Sequence, residues 1–206
     1  MKNGILILSL FLSTQLNAQE NSKSIEINTK GYFVDGIFRL ISSPTINWAK
    51  NNREIGIGPT FLLASVVAAS SNQYPRLVGL QAHYRYFPNG NNNQLNLFLF
   101  EEITLQVIND TWETNEWNYT LSKYQAFEYT NREYLGLSNL GYGIILRLSE
   151  KISVSQSIGI GVYYSKSDSN EKTPGAPELF NEDQNINGYK DFGLTYGLNF
   201  VIQFKL

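Results

Sequence analysis

The sequence predicts an all-β protein: an eight-stranded antiparallel up-and-down transmembrane β-barrel. Three observations carry that reading. Bulky apolar residues recur at every second position in one segment after another. The positions between them hold mainly Gly, Ser, Thr and Asn. Short connections rich in Asn and Gly alternate with long ones. Two-residue alternation marks a strand with one apolar and one polar face. Tight turns at one end and longer loops at the other are the pattern of outer-membrane barrels.

The 206-residue chain opens with MKNGILILSLFLSTQLNAQ. One lysine, an apolar run from Ile5 to Leu12 and a polar stretch reaching Ala18 have the layout of a secretory signal peptide. Residues 1–19 are therefore expected to be removed, after Ala18 or Gln19, leaving residues 20–206 as one barrel domain. The apolar run is shorter than the about 20 residues a spanning helix needs. The chain has no cysteine, which excludes a disulfide scaffold and lipid attachment through a thiol. Sixteen Lys and Arg less Lys2 leave 15 against 18 Asp and Glu, about −3 for the mature chain. No basic cluster stands out, so nucleic acid is not an expected partner.

The first strand is expected over residues 24–33 and the second over 38–50. Alternation is poor across GYFVDGIFRLISSP, and Pro44 interrupts the second strand. The third (53–65) sets Ile55, Ile57, Pro59, Phe61 and Leu63 against Glu54, Gly56, Gly58 and Thr60. The fourth (76–87) sets Val78, Leu80, Ala82, Tyr84 and Tyr86 against Gly79, Gln81, His83 and Arg85. The fifth covers 94–108. The sixth (133–148) carries Leu140, Tyr142, Ile144, Leu146 and Leu148 on one face. The seventh (151–165) sets Ile152, Val154, Ile158, Ile160, Val162 and Tyr164 against serines and glycines. The last, DFGLTYGLNFVIQFKL, places Phe192, Leu194, Tyr196, Leu198, Phe200, Ile202, Phe204 and Leu206 on one side, with Val201 the large apolar exception on the other. Residues 50–52, 88–93 and 149–151 read as tight turns. Residues 64–74, 109–132 and 166–187 read as long connections.

The bulky face is assigned outward. Small side chains suit the crowded inside of an eight-stranded barrel. Eight apolar stripes turned to water would far exceed the few hundred Å² of contiguous apolar patch that soluble proteins tolerate. Lipid offers no hydrogen-bond partners, so the first and last strands must pair. Tyr84, Tyr86 and Phe204 would then stand near the periplasmic interface, and Tyr134, Tyr164 and Phe192 near the outer one.

The NAQ end of the signal, the EIGIGPTF strand and the C-terminal YGLNFVIQFKL together resemble the small outer-membrane barrel family of OmpA/OmpX type, in its Bacteroidetes-type versions. The resemblance covers the whole mature chain. It implies a Gram-negative outer-membrane location and a last strand read by the barrel-assembly machinery. Tyr196, Leu198, Phe200, Ile202 and Phe204 match that assembly signal, while Leu206 stands where Phe is commoner.

The thin face also carries Glu54, Arg85, Glu102, Arg147, Asp191, Lys205 and the single histidine, His83. Charges confined in a narrow interior are expected to pair. Glu54 and Arg85 fall at similar heights on neighbouring strands and are expected to meet. Such a network either fixes the interior or serves as a gate or proton path. Glu101 conflicts with the outward stripe of Leu95, Leu97 and Leu99. It implies a β-bulge near residues 101–102, the favoured reading, or a place close to the outer interface. In the longest connection Trp112, Trp117, Tyr119, Tyr124, Phe127 and Tyr129 form either a surface for protein or glycan or the continuation of two strands as a hairpin.

No catalytic constellation and no metal set is evident, and no cofactor is expected. The expected function is a non-enzymatic structural, adhesion or interaction platform, free-standing or as a subunit of an outer-membrane assembly. Its expected surroundings are outer-membrane lipid and lipopolysaccharide. The alternative is an enzyme that transfers or removes acyl chains of lipid A. A pore for small solutes, the porin-like reading, is weaker because eight strands leave no open lumen.

Overall fold

The computed structural model describes residues 22–34, 36–65, 76–90, 93–118, 122–172 and 184–206, with side chains excepted at 110–118, 125–129, 169–172 and 184–188. The signal segment expected over residues 1–19 lies outside the described residues. Among the described residues the chain forms eight strands: β1 (Ser22–Val34), β2 (Ile37–Lys50), β3 (Arg53–Ser65), β4 (Arg76–Tyr86), β5 (Leu95–Asn118), β6 (Lys123–Arg147), β7 (Ile152–Lys172) and β8 (Gln184–Lys205). Each pairs antiparallel with the next, and β8 returns to β1 through partners from Ser24↔Lys205 to Tyr32↔Gly197, closing the barrel.

The alternation in the sequence becomes a division between inside and outside. Ile25, Ile27, Ile57, Leu80, Leu97, Leu140, Ile160, Leu194 and Phe200 all point outward and are exposed, Leu194 by 83 %. Their neighbours along each strand are buried or half-buried. β7 buries Ser153, Ser155 and Ser157 between exposed Ile152 and Ile158. On β8, inward-facing Val201 is buried among the small residues of its face.

Tight turns gather at one end. Asn51 turns β2 into β3 with φ 55°, a left-handed conformation Asn tolerates, and Gly90 (φ 76°) serves the β4–β5 turn. At the other end β1 turns into β2 through Gly36 (φ 73°), so this connection is also tight and the strict short–long alternation fails there. That end is dominated by β5 and β6, of 24 and 25 residues, which pair without a break from Leu95↔Leu146 to Asn118↔Lys123. The expected long connection over 109–132 is therefore mostly paired strand. The connection over 166–187 likewise gives up its ends to β7 and β8.

Two expectations about register are corrected. β5 pairs evenly with β4 and β6 through Glu101 and Glu102, so the expected bulge is absent there. Glu101 faces outward, opposite Tyr84 and Leu140, and Glu102 faces inward. Register shifts lie elsewhere, between β2 and β3, between β7 and β8, and between β3 and β4, where Thr60↔Gly79 is followed by Phe61↔Leu77. The extra residue, Val78, turns inward and is buried, while Leu77 takes the outward place at 64 % exposure. An inserted residue reverses the facing of its neighbours along the strand, which is why Val78 departs from the stripe it shares in the sequence.

Pro44 sits in β2 opposite Ile27 of β1. On its other side the β2–β3 ladder jumps from Ser42↔Phe61 to Ile46↔Ile57. Proline has no N–H to give a ladder, so a gap at that place is expected. Across the gap Ser43 donates a side-chain hydrogen bond to Thr60 at 3.2 Å.

Candidate functional site

The candidate site is the charged interior. Along β5 the inward residues run Asn96, Phe98, Phe100, Glu102, Thr104, Gln106 and Ile108, all buried. From Phe98 onward the order is apolar, charged, polar, apolar. Phe87, Phe98, Phe100 and Ile145 cluster near the tight-turn end. Tyr32, Val34, Ile41, Leu62, Ile108, Leu135, Leu137 and Tyr163 belong to a second cluster nearer the other end. The charges around Lys30 and Glu102 lie between the two.

Three groups of charge are bound. In the first, the Arg85 guanidinium donates to both carboxylate oxygens of Glu26, with Nη2 3.0 Å from Oε2, and to Glu54 at 2.8 Å. Gln203 from β8 donates to the second oxygen of Glu54 at 2.8 Å and to Ser24 at 2.8 Å. Four strands of the wall, β1, β3, β4 and β8, are thereby tied to one another from inside. The Arg85 guanidinium also lies 5.2 Å over the Phe98 ring, within reach of a cation–π attraction.

In the second group the Lys30 ammonium donates to Glu102, whose other oxygen accepts a bond from Gln81 at 2.9 Å. β1 and β5 stand opposite each other in an eight-strand ring, so this pair crosses the lumen. In the third, Arg39 makes a two-pronged contact with Glu133 at 3.2 and 2.6 Å, joining β2 to β6, and Ser165 donates to the same carboxylate at 2.9 Å. Tyr32 donates to Gln106 at 2.8 Å beside it. Carboxylates and cations hidden this deeply are tolerable only when each is paired and hydrogen-bonded. Glu26 is fully buried, and Lys30, Glu54 and Glu102 are each 2 % exposed.

The sequence-predicted residues divide accordingly. Glu54, Arg85, Glu102 and His83 lie in the buried interior, and Glu54 meets Arg85 directly. Asp191 is half-buried and accepts a bond from the Tyr163 hydroxyl. Arg147 is half-buried near the tight-turn end of β6, and Lys205, at the end of β8, is exposed. The ends of strands leave the packed interior, which is why neither of these two side chains is fully buried. Glu26, Lys30, Arg39 and Glu133 complete the ion pairs, and the sequence reading missed them. Their signal was present: Ser24, Glu26, Asn28 and Lys30 alternate with Ile25, Ile27 and Thr29.

Glu26, Glu54 and His83 bring ligand atoms within 4.8 Å of one another. The guanidinium of Arg85 already bridges the two carboxylates, however, and supplies the positive charge a cation would bring. His83 Nε2 lies 3.7 Å from Glu26, and the ring is buried.

No family model matches the chain, and no curated protein matches it in sequence. Among solved structures it is similar to the crystal structure of a major outer membrane protein from Thermus thermophilus. Identity is 12 % over 91 % of this chain and 100 % of that one, with a TM-score of 0.47.

The aromatic residues expected either as a binding surface or on a hairpin that continues two strands fall, where described, on the β5–β6 hairpin. In the backbone register Trp112 is the partner of Tyr129, Trp117 of Tyr124 and Phe127 of Thr114. Tyr124 is 71 % exposed. Tyr119 lies outside the described residues.

Proposed function

We propose that this chain is an integral outer-membrane barrel whose role is structural or that of an interaction platform, displaying the β5–β6 hairpin above the membrane. One observation carries the reading: the outer wall is a belt of Leu, Ile, Phe and Tyr while ion pairs fill the inside. Water would favour the opposite arrangement, and hydrocarbon favours this one. The closed ring leaves no strand edge for lipid to leave unpaired. The OmpA/OmpX-like resemblance and the C-terminal assembly strand support the same location. The ion pairs are read as fixing the interior, because they tie strands to one another around and across the lumen. On this reading the barrel conducts no measurable current.

Folding the purified chain into phosphatidylcholine vesicles tests the location. It is expected to float with the vesicles, to resist carbonate extraction and to show a heat-dependent shift on gels. A chain that stays monodisperse in plain buffer and does not float refutes it. Planar-bilayer recording tests the sealed interior, and stable unitary steps refute that part. Affinity capture from detergent-solubilised membranes tests the platform role, for which a stoichiometric partner is the supporting result and its absence favours a purely structural one.

A further inference from the structure

On the outer wall β4 to β7 leave a groove of about 410 Å³, lined by Leu80, Leu105, Val107, Tyr134, Gly136 and Tyr164. A second hollow of about 210 Å³ continues it past Ser138 to Val162 and Phe192. The floor is low because Gly136 and Ser138 stand where neighbouring outward positions carry Tyr134 and Leu140. Most strand glycines here are forced by their neighbours: a Cβ on Gly58, Gly79, Gly141 or Gly161 would collide with backbone. Gly136 is different. A Cβ there would meet nothing closer than Leu105 at 3.7 Å. The packing of the wall does not demand a glycine at this place, but an open groove does.

Above the groove, toward the long-hairpin end, the outward face turns basic. Lys166 pairs with Lys190 across β7 and β8, and its ammonium lies 5.9 Å over the Tyr134 ring. Arg132 follows Tyr134 at the next outward position of β6 and donates to the Asn109 side chain at 2.8 Å. Arg76 donates to the Asn109 carbonyl. Asp168 binds Lys166 at 3.0 Å and pairs with Arg132 in register. Four cations and one carboxylate leave about +3 among the described residues at this rim.

We propose that this strip is a binding site for a phosphate-bearing acylated lipid of the outer leaflet, with an acyl chain in the groove over Gly136 and its phosphate on Lys166, Lys190 and Arg132. The inference rests on the membrane reading above. Charge complementarity selects the occupant: a neutral lipid fits the groove but brings no anion to a rim that keeps a net positive charge, and a soluble phosphate does the reverse. Tyr134, Tyr164 and Phe192 sit at the boundary, where aromatic rings mark the headgroup level.

The test uses the full mature chain in detergent, with bis-phosphorylated lipid A as probe and native mass spectrometry as readout. Dephosphorylated lipid A and the deacylated sugar bisphosphate are the comparison ligands. One phosphorylated lipid is expected to be retained per chain, with both comparison ligands bound at least about tenfold more weakly. Arg132→Gln and Lys190→Gln should each weaken binding about fivefold, the worth of one cation near a charged lipid surface. Gly136→Leu should fill the groove and weaken binding without lowering the unfolding midpoint. Equal affinity for the phosphorylated and dephosphorylated lipids overturns the proposal, as does equal binding of the deacylated sugar. Indifference to Gly136→Leu together with the charge variants overturns it too. Flotation with neutral phosphatidylcholine vesicles separates the two readings. A chain that floats yet shows no preference retains the membrane reading and loses this site; a chain that does not float loses both.

Discussion

Replacing Arg85 with Met removes the one cation held between two buried carboxylates. Its guanidinium makes three bonds, two to Glu26 and one to Glu54. Hydrogen bonds to charged groups are worth about 1.5–3 kcal/mol each, so simple addition gives about 4.5–9 kcal/mol. That sum is too large, because the three share one cation whose burial is itself unfavourable. The applicable quantity is the cost of orphaning a buried charge, about 3–5 kcal/mol. Gln203 still holds Glu54, and His83 is the remaining basic group near Glu26, at 3.7 Å. We therefore expect Arg85→Met to lower stability by about 3–5 kcal/mol. Urea unfolding in lipid vesicles measures it, with outward-facing Trp48 among the fluorescence reporters. The triple change Arg85→Met with Glu26→Gln and Glu54→Gln removes all three charges and should recover most of the loss. A single variant within about 1 kcal/mol of the parent, or a triple variant no better than the single one, would refute the account of the interior.

Three further outcomes are expected. Glu101 stands midway along the outward stripe of β5, between Leu99 and Ile103. Glu101→Leu should stabilise the barrel in vesicles by about 1 kcal/mol, since a charge on the lipid face costs up to about 2–4 kcal/mol and carboxylates cost less than cations; a loss on the same urea assay would show that the carboxylate has a partner. Gly56→Ala should cost about 1–3 kcal/mol because its Cβ would overlap the Asn47 side chain and the His83 ring, whereas Gly136→Ala should be close to neutral; equal effects in thermal unfolding would refute the steric reading. Phe100→Ala, in the cluster near the tight-turn end, should cost about 3–5 kcal/mol, read from the urea midpoint.

The wall of the barrel was largely legible from sequence because period two is a local signal and the solvent contrast enforces it on every strand. β3 was placed at its observed limits, and β4, β6 and β7 within a residue or two at the tight-turn end. The upper parts of β5 and β6 were open to two readings, a hairpin that continues both strands or a binding surface, since above the belt no outward apolar stripe is needed, and the hairpin is what forms. Val78 was given to the wrong face because an inserted residue leaves no compositional mark. The Glu101 conflict invited a bulge, yet the regular strand keeps a single unfavourable side chain rather than break its ladders on both sides. In the interior, Glu54 and Arg85 were matched because they are neighbours in adjacent strands. The partners of Lys30 and Arg39 lie on opposite walls, and no spacing in the sequence reports a distance across a lumen.

Those cross-lumen bonds have a consequence for how the cylinder shuts. An oily exterior is almost blind to sliding one strand by two places, because each stripe still meets its like. Sliding would nevertheless carry Lys30 away from Glu102 and Arg39 away from Glu133. The salt links between facing walls thus act like the wards of a lock, admitting one stagger of the eight staves and rejecting its near copies.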